Sequence, residues 1–116
     1  MIYSKKPALI TCKGGFFMFY NVLKAKDIVE NDKFERKVLM EHDNSSLSVI
    51  GLKKDEIIDT HTSTCDAAVY ILDGEIELHF DAQKFKVDKG EILLFKKDEQ
   101  HKVVALKDSK FLLIKI

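Results

Sequence analysis

The chemistry open to this 116-residue sequence rests mainly on its four histidines, and two of them stand out by their neighbours. His61 opens the stretch His61-Thr62-Ser63-Thr64-Cys65-Asp66, which strings an imidazole, hydroxyls, a thiol and a carboxylate along consecutive positions. His101 follows the polar run Lys96-Lys97-Asp98-Glu99-Gln100. Imidazole is the commonest nitrogen donor to divalent transition metals, but two histidines leave a tight site one or two donors short. Local candidates for the missing donor are Cys65, a soft thiolate ligand, and Asp66, which would complete a two-histidine, one-carboxylate set; the hydroxyls of Ser63 and Thr64 are weaker. Strict strand alternation sends Asp66 to the face opposite His61, so either donor requires the chain between His61 and Ala67 to bulge or loop. The plainer alternatives are two pocket histidines hydrogen-bonded to hydroxyls and backbone, an inert buried thiol at Cys65, and a turn-capping carboxylate at Asp66.

Other arrangements carry less. His42 lies in the polar segment Glu41-His42-Asp43-Asn44-Ser45-Ser46 and reads as a surface residue. Gly14-Gly15 runs into Phe16 without the Lys-Ser or Lys-Thr of a phosphate-binding loop. A triad of Ser63, His101 and Asp66 lacks a nucleophile elbow around the serine.

The elements that must position these groups are strands. From Leu47 onward the pattern has period two in short blocks closed by turn residues, as in an antiparallel sandwich or barrel. In Glu75 to Phe80, residues Ile76, Leu78 and Phe80 share one face, and Glu75, Glu77 and His79 share the other, so His79 is expected to point to solvent. Ala67 to Leu72 is apolar on both faces, as a doubly covered strand would be, and Asp73-Gly74 predicts a type I′ hairpin to the next strand. Further hairpin turns are expected at Asp81-Ala82, Asp88-Lys89-Gly90 and Lys107-Asp108. The first 46 residues show an aromatic run at Phe16 to Tyr20, a helix-or-strand segment at Lys26 to Asp32, and a strand from Phe34 to Met40. An aromatic strand there needs cover, which the barrel or a second subunit in a homodimer would each provide.

Composition narrows the function classes. With 46% hydrophobic residues and a single proline, the chain suits one domain that buries its own core without a metal or disulfide framework. Lys+Arg at 19 balances Asp+Glu at 19, and Arg36 is the only arginine, which excludes a basic nucleic-acid face built on guanidinium forks. The uncharged stretch Gly14 to Leu23 falls well short of the ~20 residues of a membrane-spanning helix. No signal peptide is evident, so the cytoplasm is the expected location, with Cys12 and Cys65 as reduced thiols.

His61 through Glu75, and Asp88-Lys89-Gly90-Glu91-Ile92-Leu93-Leu94-Phe95 through His101, resemble the two motifs of a small single-domain cupin, over about Leu47 to Ile116. The first histidine of the early motif falls on His61, its closing glycine on Gly74, the glycine of the late motif on Gly90, and its histidine on His101. The second histidine falls on Ser63, the glutamate on Ala67, the proline on Lys96 and the second late glycine on Asp98, so two of the family's metal ligands are replaced.

The resemblance implies an all-β fold, a cupin-type antiparallel β-barrel (double-stranded β-helix, or jelly roll). Residues 1–46 would supply N-terminal strands packing on the barrel or on a dimer partner, and 47–116 the barrel core. It further implies that His61 and His101 share the barrel interior. One expectation is a pocket that binds a small molecule at His61, His101, Ser63 and Tyr70, walled by Val69, Ile71, Phe85, Ile92 and Leu94. The alternative is a dioxygenase or isomerase holding one divalent metal (Fe, Mn, Ni or Zn) at His61, His101 and either Cys65 or Asp66. A barrel packed solid and serving only dimer assembly is the third.

Overall fold

Alternation of apolar and polar residues becomes a succession of strands in the computed structural model, which describes residues 8–12, 15–20, 22–30 and 34–116. The strands are β1 (Ala8–Cys12), β2 (Gly15–Tyr20), β3 (Glu35–His42), β4 (Ser45–Leu52), β5 (Ile57–His61), β6 (Ala67–Asp73), β7 (Glu75–Phe80), β8 (Lys84–Asp88), β9 (Ile92–Phe95), β10 (His101–Ala105) and β11 (Ser109–Lys115). Among the described residues no α-helix is present, so the all-β expectation holds. The Met1 to Lys6 start, Gly14 and the Asn31-Asp32 end of the expected helix-or-strand segment lie outside the described residues.

Strands β3-β4-β11-β6-β9 form one antiparallel sheet and β5-β10-β7-β8 another, while β1 and β2 pair with each other. Edge strand β3 is hydrogen-bonded to β4, so the expected Phe34 to Met40 strand joins the barrel. The core is the seam between the two larger sheets. Ile50, Leu52, Val69, Ile71 and Phe111 come from the first sheet, and Ile76, Leu78, Val87, Val103 and Ala105 from the second. Each large aliphatic or aromatic group buried here contributes about 1.5–3 kcal/mol. Phe111, at 1% exposure, sits in register between Ile50 of β4 and Ile71 of β6.

The chain crosses between sheets more often than hairpin reasoning foresees. Only β3–β4, β7–β8 and β1–β2 join neighbours in one sheet; β6–β7, β8–β9 and β10–β11 each step to the opposite sheet. The Asp73-Gly74 corner is therefore not a type I′ hairpin. An Asp-Gly pair specifies a sharp reversal but not the partner of each arm, and of its two residues only Gly74 has a positive φ, 84°. This corner docks on the β10–β11 corner. The Ser109 hydroxyl accepts the Glu75 N–H at 2.9 Å and donates to the Lys107 carbonyl at 2.7 Å.

Segment 25–30 covers part of the outer face of the larger sheet. Ala25–Asp27 is one turn of 3-10 helix, and Val29 behind it is 1% exposed. A Cβ on Gly51 would stand 3.0 Å from a Val29 methyl, so glycine is what lets this segment approach β4. On neighbouring β11, in register with Gly51, Lys110 donates from Nζ to the Lys26 carbonyl. Farther along the same face Met40, Ile92 and Leu94 stay exposed.

Gly74 and Gly90 have nearly equal φ angles, 84° and 85°, in different surroundings. A Cβ at Gly74 would run into the Asp108 carbonyl and the Ser109 hydroxyl, whereas nothing lies within 4 Å at Gly90. Urea unfolding is expected to show Gly90→Ala losing about 1–2 kcal/mol, the left-handed cost alone, and Gly74→Ala losing clearly more.

Candidate functional site

Strand β10 builds the site through its two neighbours. His101 pairs with His61 of β5 on one side and with Phe80 of β7 on the other. On β5 the ladder slips between His101 and Val103, because Val103 opposes Ile58 while His101 opposes His61. One extra residue, in Asp59-Thr60, is thus accommodated as a bulge. Without it, alternation from the inward Ile58 would place Thr60 inward and His61 outward. The bulge carries its own hydrogen bonds: Thr60 N–H donates to the Asp59 carboxylate at 2.8 Å, and His61 Nδ1 lies 2.8 Å from the Asp59 carbonyl.

His101 Nδ1 likewise lies 2.9 Å from the Glu99 carbonyl. A carbonyl only accepts, so both rings carry hydrogen on Nδ1, and in the neutral state each leaves Nε2 as an acceptor. The ring centroids are 4.1 Å apart at 61°, edge to face, and Phe95 packs 4.7 Å from His101. His101 is 5% exposed, while His61 stands at the open side.

The two imidazoles line a cavity of about 210 Å³ between the sheets. Its apolar wall includes Ile50, Ile58, Val69, Leu78, Phe95 and Phe111, and among the described residues its charged lining is Arg36 and Lys115, with no Asp or Glu. A roomier hollow of about 290 Å³ beside Leu94 and Ile114 contains no imidazole.

The structure brings His61 and His101 together but directs the other expected site residues elsewhere. The chain from Thr62 to Asp66 does loop, as ligation by Cys65 or Asp66 would require. Within that loop Ser63 is buried, with its hydroxyl accepting the Cys65 N–H at 3.1 Å. The Cys65 thiol donates to the Asn44 carbonyl at 2.9 Å. Asp66 accepts the Lys97 N–H at 3.0 Å and lies 3.6 Å from the Lys96 ammonium, and these two partners hold its carboxyl below the usual range. It is the turn-capping carboxylate of the plainer alternative. The Asp98 N–H donates to the Ser63 carbonyl at 2.8 Å, so loops 62–66 and 96–100 are tied to each other.

Tyr70 does not line the cavity. Val69 and Ile71 point inward at 1% exposure each, so alternation turns Tyr70 to the outer face at 37%. Ile92 and Leu94 are also corrected to the outer face, opposite Tyr70 and Ala68, while Leu93 and Phe95 pack inward opposite Val69 and Ala67. Phe85 lines a separate hollow with Phe80 and Leu93, and Ile71 belongs to the packed core. Of the expected wall, Val69 alone lines the histidine cavity. His79 holds the outer face, 2.9 Å from the Glu77 carboxylate.

Sequence reasoning missed Arg36, Lys115, Ile58 and Phe95 as lining residues. Arg36 carried a usable signal, being the chain's single arginine.

A bound metal needs a third donor beside the two imidazoles. His61 and His101 offer two open Nε2 atoms, but among the described residues no group of three His, Cys, Asp or Glu side chains converges, and Cys65 and Asp66 are committed to backbone groups. Lys115, whose charge acts on His101, and Arg36 in the same lining further disfavour a bound cation. These residues do not complete a metal centre.

A family model described as "Cupin domain" matches residues 49–116, more than half the chain. The chain belongs to the cupin domain family. Solved structures support the fold. A conserved protein of unknown function from Streptococcus pyogenes superposes with a TM-score of 0.76 at 26% identity, covering 83% of this chain and 86% of that one. A cupin superfamily protein from Desulfitobacterium hafniense gives 0.75 at 20% identity, covering 84% and 91%. A cupin 2 conserved barrel domain protein from Leptotrichia buccalis gives 0.72 at 30% identity; there the match covers 84% of this chain and 47% of the other. No curated protein sequence matches.

Burial holds His101 below its ordinary value of 6.5, and the positive charges of His61 and Lys115 add to it, while the Glu99 carbonyl works in the opposite direction. The unfolded chain therefore takes up a proton at His101 before the folded cupin does. This group costs nothing above the unfolded pKa, and its share of stability is lost as pH falls from there toward the folded pKa. The urea midpoint is expected to fall between about pH 7.5 and 5.5, and His101→Gln to flatten that decline.

Proposed function

We propose that this cupin is a cytoplasmic protein that binds a small molecule in the barrel cavity at His61 and His101. The observation that carries the reading is the cavity itself: two imidazoles with acceptor Nε2 atoms stand over an apolar wall, and the lining completes no metal centre. Pockets of this make-up fix a ligand by few polar groups and hold it by apolar contact. At about 210 Å³ the space suits a metabolite smaller than the drug-sized molecules that occupy typical pockets. Among the described residues no helix is long and apolar enough to cross a membrane, and Cys65 is a free thiol, both in keeping with that setting.

Native mass spectrometry of tag-free protein is the test. The expected result is a co-purifying small molecule, retained by the wild type and lost from His61→Ala, whose exposed position lets the barrel fold normally. Elemental analysis of the same samples is expected to find substoichiometric metal, with the thermal midpoint unchanged after chelator treatment. A stoichiometric transition metal that disappears in His61→Ala would overturn the reading in favour of a metal-dependent cupin enzyme.

A further inference from the structure

The charges around the cavity point to a ligand class. Arg36 is on β3 in register with Ile50, and Lys115 is on β11 in register with Ala67, so the two approach the cavity from different strands of the same sheet. Neither has a carboxylate within ion-pairing distance among the described residues, although the chain carries 19 acidic residues. Several acids elsewhere do pair with lysines: Glu75 meets Lys86 and Lys107, Asp66 meets Lys96, and Glu35 meets Lys37. In the cavity, by contrast, the described residues supply two cations and two imidazoles and no acid. Below the charges the wall is apolar, through Ile50, Val69, Leu78, Val103, Phe111 and Leu113.

Resting on the reading of this cavity as a ligand pocket, we propose that it takes a small organic carboxylate with an apolar body. The carboxylate would lie against Arg36 and Lys115, and the body against the aliphatic and aromatic wall. A planar guanidinium fork matches a carboxylate bidentately, which suits a single arginine better to this group than to a cluster of phosphates. The apolar wall excludes a bare inorganic anion, which would lose hydration there without replacement hydrogen bonds.

The test compares three probes by isothermal titration at one fixed ionic strength: hexanoate, 1-hexanol and inorganic phosphate. Hexanoate is expected to bind at least about tenfold more tightly than 1-hexanol. Arg36→Gln and Lys115→Gln should each erase most of that advantage while leaving 1-hexanol binding unchanged; both residues reach solvent, and either variant alone decides if the other fails to fold. Equal binding of hexanoate and 1-hexanol would leave the pocket standing and overturn the carboxylate. Tighter binding of phosphate than of hexanoate would overturn the apolar body. Binding of none of the three overturns the inference, and the co-purified molecule then judges the pocket separately: a neutral or cationic one leaves it a pocket of another class.

Discussion

Register along β10 is the constraint on which the site depends. A strand presents alternate residues to opposite faces, so sliding β10 by one position would turn His101 to solvent and bring Lys102 into the barrel. The ladder to β7, running from His101 opposite Phe80 to Ala105 opposite Ile76, prevents this by setting buried side chains against one another along its length. On the other side the ladder to β5 is broken, and the break serves the site. The extra residue at Asp59-Thr60 lets Ile58 and His61 face the same interior, one giving an apolar wall and the other an imidazole.

Electrostatics divide the molecule between its surface and its interior. Outside, charges of both signs are interspersed in pairs worth little individually, since water screens them. Inside, the charges that the described residues bring to the cavity are all positive. Their effect already shows on His101, whose proton affinity is reduced by burial and by its cationic neighbours. Two Nδ1 hydrogen bonds to backbone carbonyls keep both rings in place, and among the described residues no acidic partner neutralises this field.

Much of the barrel was legible in the sequence because alternation there is unambiguous: Ile76 and Leu78 face inward and His79 outward, as their spacing requires. The cupin motifs also located the histidine pair. Legibility failed where a strand is apolar on both faces. In Ile92-Leu93-Leu94-Phe95 nothing local distinguishes the two sides, and pairing with β6 makes Leu93 and Phe95 the inner pair. The same ambiguity misplaced Tyr70. Turn residues were read correctly as reversals but not as sheet crossings, because Gly74 records a local φ and the partner of β7 is decided by distant β10. Position 98 shows how backbone geometry outlasts residue type. Where the family has a second late glycine this chain has aspartate, yet Asp98 holds a φ of 67°, among the values that favour glycine.

Strand β11 has a consequence in time rather than in space. It is the middle strand of the larger sheet, flanked by β4 and β6, yet it is the last of these strands to be synthesised. Its register joins Lys115 to Ser46 and Phe111 to Ile50, contacts that span most of the barrel sequence. While the chain emerges, β4 and β6 each present an unsatisfied inner edge with no strand to lie between them. Closure of the sheet therefore waits for the final segment, which makes for slow, late folding from a nucleus of distant contacts. The nascent chain must keep those two unpaired edges apart from each other and from other chains until β11 arrives.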